Sequence, residues 1–331
     1  MNSDDGANAD WLSKLETASG LLSEGKTAEA ATLIAKAVNA APPDPQLPPQ
    51  TRARVVEARA TLAKISGSMD RYLRSRLSDI EQPIDSQQGP AGPSRAARAI
   101  DLLLGQRALY FQQPEKFYFP ELPQIEFYEP EGFDWTRDIV KCAPAIRDEL
   151  FAFLSEENDA FEPYVPATHQ SATASTSDLT GNLDWGAIHL FKDGVANPKT
   201  VPHFPATMEA LARAPQPGVQ TLSPIALFSR LTPGARIPPH HGLVNTRLIC
   251  HLPIAIADDC AIRVGSQTRP WREGEMLIFD DSIEHEAWNN SSVERIILLF
   301  DIWRPEITAD ERRFIEIVFQ AVADFQAGAA S

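Results

Sequence analysis

Four of the chain's seven histidines, His240, His241, His251 and His285, fall between Ser229 and Asp301. His240 and His285 each stand at a turn beside a strand-like stretch, and in a jelly roll such distant turns can meet at one mouth of the barrel. Imidazole suits iron, zinc and copper alike. One histidine alone is ordinarily a structural hydrogen bonder, whereas two in the company of arginines point to a metal pocket. Strand alternation sorts their neighbours. Arg247, Ile249 and His251 share one face, and Leu248, Cys250 and Leu252 share the other. The second face is wholly apolar and must be core, so the first looks into solvent or into a ligand that accepts a cation. Arg295 opens an otherwise apolar run, Ile296 to Phe300, where an unpaired charge is costly. Two partners suit it: a salt bridge to Asp280, Asp281 or Glu294, or a bidentate grip on a small dicarboxylate.

The elements that must position these groups are short strands. From Asp184 onward the chain reads Trp185 to Phe191, Pro224 to Leu231, Asn245 to Leu252, Cys260 to Val264, Glu275 to Phe279 and Arg295 to Trp303, separated by Gly and Pro turns. Many short antiparallel strands of this kind indicate a sandwich or jelly roll. Phe204 to Ala214 and Ala143 to Leu154 read as helices, and Tyr118 to Tyr128 as edge strand and extended chain. Thr308 with Glu311 forms a capping box for a final helix over 308–326, with Phe314, Ile317, Ala321 and Phe325 as its expected buried face. Residues 156–179 are polar and read as a loop near the site.

The first part is helical. Trp11, Leu15, Ala18 and Leu22 form one apolar face, broken at Gly25. Thr27 is expected to cap a second helix carrying Ala30, Ile34, Ala37 and Val38, ended by Pro42 and Pro43. A third carries Val55, Ala58, Leu62 and Ile65. A separate polar helix is expected from Asp70 to Asp79. The Ala30, Ile34, Ala37, Pro42 spacing resembles half a tetratricopeptide repeat, an ordinary helical hairpin being the alternative. Pro, Gln, Ser and Gly near 82–93 suggest a linker, and Ser94 a cap for a short helix ending at Gly105. The expected organisation is therefore a helical region over 1–110 followed by a barrel domain over 111–331.

Composition bounds the partners. The chain has 331 residues, 43% of them hydrophobic, with a formal net charge of -15. That charge argues against a nucleic-acid role. Cys142, Cys250 and Cys260 have no metal-finger spacing and read as free thiols. Met1 to Asp10 is acidic without an apolar run, and no later stretch is apolar enough to span a bilayer. The expectation is a cytoplasmic protein with no membrane partner.

Phe279-Asp-Asp-Ser-x-Glu-His-Glu-x-Trp, Pro239-His-x-Gly, Asn245-x-Arg-Leu-x-x-His-Leu, Trp271-Arg-Glu-Gly, Trp303-x-Pro-Glu-Ile and the stretch from Trp185 to Gly194 together resemble the aspartyl/asparaginyl β-hydroxylases over roughly residues 116–310. The resemblance implies an α+β fold with a double-stranded β-helix, the jelly-roll or cupin-like architecture, flanked by helices. It implies iron(II), 2-oxoglutarate and O2 as cofactor and cosubstrates. His240 and His285 match the iron ligands. Arg295 and Ser229 match the pair holding the distal carboxylate of 2-oxoglutarate, and His251 a residue near its metal-side carboxylate. Trp185 and Arg247 join the cosubstrate site by the same match. Where the animal enzymes carry an arginine, this chain has Ile249. Gly242 stands where most related oxygenases carry a carboxylate ligand, so water or substrate must fill that position, or chloride, as in halogenases. Asp281 is expected to orient a ligand histidine or a metal-bound water, or, with Asp280, to cap a turn.

The implied reaction hydroxylates the β-carbon of an aspartyl or asparaginyl residue in a peptide or protein, coupled to decarboxylation of 2-oxoglutarate to succinate and CO2. Alternatives are the same chemistry on a free amino acid, a lipid or another small molecule, halogenation at the open ligand position, and a non-catalytic helical-repeat adaptor with a silent barrel.

Overall fold

The computed structural model describes residues 4–77, 95–157, 160–166, 179–256 and 258–328. These fall into two compact units, Met1–Arg107 and Ala108–Ser331. The expected linker at 82–93 and the Ser94 cap lie outside the described residues, as does most of the expected loop over 156–179.

In the first unit, α1 (Asp4–Ser23) and α2 (Thr27–Ala40) form a hairpin, followed by α3 (Pro49–Leu77) and α4 (Arg95–Leu103). Trp11, Leu15 and Ala18 pack on Ala30, Ile34 and Ala37, and on Val55 and Ala58 of α3. Gly25 takes a φ of 76°, a conformation that costs glycine little and ends α1. Thr27 does not cap α2; it is the first helical residue and makes no capping bond, with Lys26 at the cap position. The separate polar helix from Asp70 is also corrected. α3 runs unbroken to Leu77, because a lone Gly67 costs only about 1 kcal/mol in a helix and an i,i+4 pair, Asp70 with Arg74, supports the continuation.

The second unit is a two-sheet sandwich of jelly-roll type with helices on one side. Its elements are β1 (Phe127–Tyr128), α5 (Thr136–Lys141), α6 (Ala143–Glu156), β2 (Glu162–Pro163), β3 (Trp185–Lys192), β4 (Val195–Ala196), α7 (Pro205–Leu211), β5 (Ala226–Leu231), β6 (Arg236–His240), β7 (Arg247–Ala255), β8 (Cys260–Val264), β9 (Gln267–Pro270), β10 (Leu277–Phe279), β11 (His285–Asn289), β12 (Arg295–Trp303) and α8 (Ala309–Gln326). The larger sheet runs β1-β10-β7-β12-β5-β3-β2, with β4 paired to β3, and the smaller runs β6-β11-β8-β9. All their pairings are antiparallel.

Period-two alternation on the central strands divides the apolar residues into two layers. Leu248, Cys250 and Leu252 of β7 and Leu298 and Phe300 of β12 pack beneath Ile146, Leu150 and Phe204 from the helical side. Ile249, Ile297 and Leu299 turn the other way, toward Ile237, Ile262 and Ala287 of the small sheet. Strands β7 and β12 are thus buried on both faces.

Five strands escape the sequence reading: the two-residue β2 and β4, and β6, β9 and β11. His240 and His285, expected at turns, are the last residue of β6 and the first of β11. Pro238 and Pro239 mask β6, yet prolines are tolerated there because β6 is an edge strand. The capping box of α8 is present. Its buried face is not the expected one, since Phe314, Ile317 and Phe325 are exposed. Ile315 and Phe319 face the protein instead, packing with Trp303, Ile307 and Phe117. Among the described residues, no helix is long and apolar enough to cross a membrane.

Candidate active site

β6 and β11 are hydrogen-bonded neighbours, and their register places His285 directly opposite His240. The two rings lie 4.1 Å apart, centre to centre. Each is oriented by backbone. His240 Nδ1 is 2.8 Å from the carbonyl of Pro238, and His285 Nδ1 is 3.1 Å from that of Ile283. A carbonyl only accepts, so both Nδ1 atoms carry the proton and both Nε2 lone pairs remain for another partner. Burial lowers the pKa of both imidazoles and favours their neutral form, the one a metal needs.

The larger sheet faces this pair across a cavity of about 260 Å³. Arg295, the first residue of β12, is 1% exposed. Its Nη1 lies 3.2 Å from the Ser229 carbonyl and 3.4 Å from the Ser229 hydroxyl, its Nε has no partner, and its guanidinium lies 4.7 Å from the Trp271 ring centre. Among the described residues it makes no ion pair. The carboxylates expected as structural partners are taken: Asp280 by Arg304, Asp281 by Arg247 and Glu294 by Arg230. Desolvation accordingly pushes Arg295 down to about 9. Ser229 Oγ receives the Trp185 indole N–H at 3.2 Å as well as Arg295. With both donors directed at its oxygen, the hydroxyl's own proton is free to be given to an anion. Trp185 is held by stacking on Tyr164, 3.8 Å between ring centres.

His251 lines the same cavity and accepts the Trp271 indole N–H at Nδ1, 3.2 Å away, so its Nε2 carries the proton. Burial, then the nearby Arg295 charge, hold its pKa well below the ordinary value. Arg247 lies two residues before Ile249 on the same face, but its guanidinium is engaged. Nη1 is 3.2 Å from Asp301 Oδ2, and Nη2 is 3.7 Å from Asp281 Oδ2. Burial raises Asp281 to about 7, with Arg247 opposing the shift.

Asp281 does not orient either ring, because backbone carbonyls do. It stands instead against Gly242, where an added Cβ would run into its carboxylate. Asp280 caps the following turn through the Ser282 N–H at 3.0 Å, and it also pairs with fully buried Arg304 at 2.7 Å and with Gln112. His241 follows the end of β6 and lines the cavity. Two contributors escaped the sequence reading as site residues. Trp271 fixes the His251 tautomer and covers Arg295; its signal is a lone tryptophan at a strand end before a glycine turn. Asp301 engages Arg247; its signal is a carboxylate inside an apolar run.

Among the described residues, no group of three or more His, Cys, Asp or Glu side chains gathers as a metal cage. The site nonetheless fits iron with a small dianion. Two neutral imidazoles offer nitrogen donors and leave further coordination positions to small oxygen ligands. A buried guanidinium without a carboxylate, beside a hydroxyl with a proton to give, suits a carboxylate in the same cavity.

Residues 141–305 match the family model described as Aspartyl/Asparaginyl beta-hydroxylase. Aspartate beta-hydroxylase domain-containing protein 2 of Xenopus tropicalis is 30% identical, over 63% of this chain and 55% of its own. The ornithine lipid ester-linked acyl 2-hydroxylase of Rhizobium tropici is 33% identical, over 56% of this chain and 63% of its own. The aspartyl/asparaginyl beta-hydroxylase of Homo sapiens is 33% identical, over 52% of this chain and 21% of its own. The chain thus spans less than two thirds of these relatives' length.

Proposed function

The chain belongs to the aspartyl/asparaginyl β-hydroxylase family, and from that premise we propose that it is an iron(II)- and 2-oxoglutarate-dependent hydroxylase. The observation that carries this reading is the convergence, on one cavity, of the paired His240 and His285 rings with an Arg295 that has no carboxylate partner among the described residues. When bound, ferrous iron with 2-oxoglutarate and O2 supplies an oxidant able to convert an unactivated C–H bond to C–OH.

The chain's own residues then do the following. His240 and His285 hold the metal through Nε2, with Pro238 and Ile283 carbonyls fixing their tautomer. Arg295 and Ser229 grip the distal carboxylate of 2-oxoglutarate, and Trp185 orients the Ser229 hydroxyl. His251 offers its Nε2 proton to the metal-side carboxylate. Arg247 holds Asp281 in place rather than touching the cosubstrate, and Asp281 would accept a hydrogen bond from a water standing beside Gly242. The three free cysteines suit the reducing cytoplasmic setting in which ferrous iron persists. The relatives' names point to two substrate classes, aspartyl or asparaginyl residues and an ester-linked acyl chain.

The test is direct. Purified protein given Fe(II), 2-oxoglutarate and O2 is expected to release succinate slowly without substrate. Anaerobic Fe(II) with 2-oxoglutarate is expected to produce a visible charge-transfer band that is lost in His285→Ala. No band and no succinate would favour a silent barrel.

A further inference from the structure

We propose that the outer face of α8 is a dimer interface, on which a second copy of this chain pairs its own α8 antiparallel across a two-fold axis. This assignment is independent of the hydroxylase reading above. Phe314, Val318, Ala321 and Phe325 recur at spacings of four, three and four, so they line one side of α8, with Ile317 and Val322 along its edges. The helix already has an inner face. Ile315 and Phe319 pack with Trp303, Ile307 and Phe117, and the Arg312 guanidinium turns inward onto the Trp303 ring. The second apolar side stays in water: Phe314 is 54% and Phe325 72% exposed, and Ile317 and Val322 are exposed beside them. At roughly 150–250 Å² per aromatic side chain, the two phenylalanines alone leave on the order of 250 Å² uncovered. Ile317 and Val322 bring the patch into the range of a few hundred Å² that marks an interaction site. Doubled by symmetry and ringed by polar residues, it approaches the ~1,000 Å² that a specific interface needs.

The charges beside this patch select the occupant. Arg313, Gln320 and Asp324, spaced seven and four apart, form a row along one edge of the apolar side. Both charged residues are exposed, and neither forms an ion pair among the described residues; Asp324 accepts a hydrogen bond from Gln320 at 2.8 Å. When two such helices pair antiparallel, like edges meet and run in opposite directions. With the two-fold axis level with Phe319, Arg313 of each copy stands one residue from Asp324 of the other, and two ion pairs form. The same register brings Phe314 beside Phe325 of the second copy and Ile317 beside its Ala321, where a small side chain lets the axes approach. A parallel pair would set Arg313 on Arg313 and Asp324 on Asp324. Antiparallel packing also opposes the two helix dipoles favourably. A groove of about 380 Å³ lies between α8 and the stretch around Gly218 and Gln220, lined by Ile317, Ala321 and Asp324. In this register the second copy's Phe314 stands over it.

A lipid surface suits the face less well. Helices that lie in the membrane interface carry lysine and arginine on their polar side. α8 has no lysine, and Asp310, Glu311, Glu316 and Asp324 outnumber Arg312 and Arg313. The net charge of -15 on each copy opposes association at long range, but about 0.15 M salt screens it beyond ~8 Å, whereas the Arg313 and Asp324 contacts are shorter than that.

Sedimentation velocity of the full chain at about 1–200 µM in ~0.15 M salt tests the proposal. A reversible monomer–dimer equilibrium is expected. Phe314→Glu should weaken it at least about tenfold, and Arg313→Asp or Asp324→Arg alone about fivefold. The two single charge variants mixed in equal amounts should pair with each other, and the double variant Arg313→Asp/Asp324→Arg should return to within about threefold of wild type. Circular dichroism checks that each variant folds, as substitutions at exposed positions allow. A protein monomeric throughout the range overturns the proposal, as does a dimer indifferent to Phe314→Glu or to the single charge reversals. A monomer that floats with neutral phosphatidylcholine vesicles through Phe314 assigns the face to a lipid surface and overturns it as well. Substrate-free succinate release plays no part in these readouts, so the dimer and the hydroxylase reading fail separately.

Discussion

Replacing Arg295 by methionine should separate stability from ligand binding in opposite directions. In the ligand-free protein this guanidinium is buried without a carboxylate, and desolvation holds it at about 9, well below an arginine's ordinary value. At ~1.4 kcal/mol for each tenfold change in proton affinity, that depression corresponds to an upper bound on the order of 5 kcal/mol of unoffset charge burial. Relaxation recovers part of it, and buried ions replaced by apolar groups of similar volume commonly leave a protein ~1–4 kcal/mol more stable. Arg295→Met should therefore unfold at equal or higher denaturant concentration than the wild type. The same change should weaken 2-oxoglutarate by ~2–5 kcal/mol, about 30-fold or more, because a charge-assisted grip is lost. Urea unfolding of the metal-free protein and calorimetric titration of 2-oxoglutarate with Mn(II) in place of iron give the two numbers. A variant destabilised by more than ~2 kcal/mol that still binds 2-oxoglutarate within about threefold of wild type would show that Arg295 is an internal structural cation, and the cosubstrate site would lie elsewhere.

Other outcomes follow from the same geometry. His240→Ala should lose at least about 100-fold in Mn(II) affinity, read by metal titration, with an unchanged circular dichroism spectrum, since the ring's polar contacts are to backbone. Gly242→Ala should cost ~1–3 kcal/mol, because the new methyl meets the Asp281 carboxylate; adding Asp281→Gly should recover part of this loss, which a double-mutant cycle in urea measures. Arg304→Met should destabilise by ~3–5 kcal/mol in urea unfolding, leaving Asp280 charged, fully buried and without its cation. Burial lowers His189 to about 4 from 6.5, so the unfolded chain binds the extra proton first as pH falls. Its contribution is intact above about 6.5 and lost toward 4, on the order of 2 kcal/mol after allowing for partial exposure, and His189→Gln should flatten that part of the stability profile.

The central strands of the large sheet were legible because they carry apolar residues bounded by Gly and Pro; on β7, Leu248, Cys250 and Leu252 mark one face as core. Of the small sheet, β8 alone was. β6 carries two adjacent prolines and β11 reads His-Glu-Ala-Trp-Asn, so neither shows apolar alternation, and the side chains that make them strands belong to the partner sheet. The inner face of α8 was misread because Phe314, Ile317 and Phe325 are larger and more regularly spaced than Ile315 and Phe319; Trp303 and Phe117, remote in sequence, decide which side is covered. The histidines and Arg295 stood out as unusual residues in strand-like surroundings, and family motifs suggested roles for them. That Asp301 and Asp281 engage Arg247, and that Trp271 sets the His251 tautomer, depends on register between β7, β10 and β12, which no local spacing reveals.

The two imidazoles ride on β6 and β11, whereas Arg295 and Ser229 ride on β12 and β5. The gap between nitrogen donors and guanidinium is therefore the thickness of the aliphatic filling between two stacked sheets. A single enlarged or shrunken side chain in that filling retunes the bite offered to any bridging ligand, with no change to the polar residues themselves. Affinity for a chelating acid thus becomes a caliper for how tightly the halves of the sandwich close.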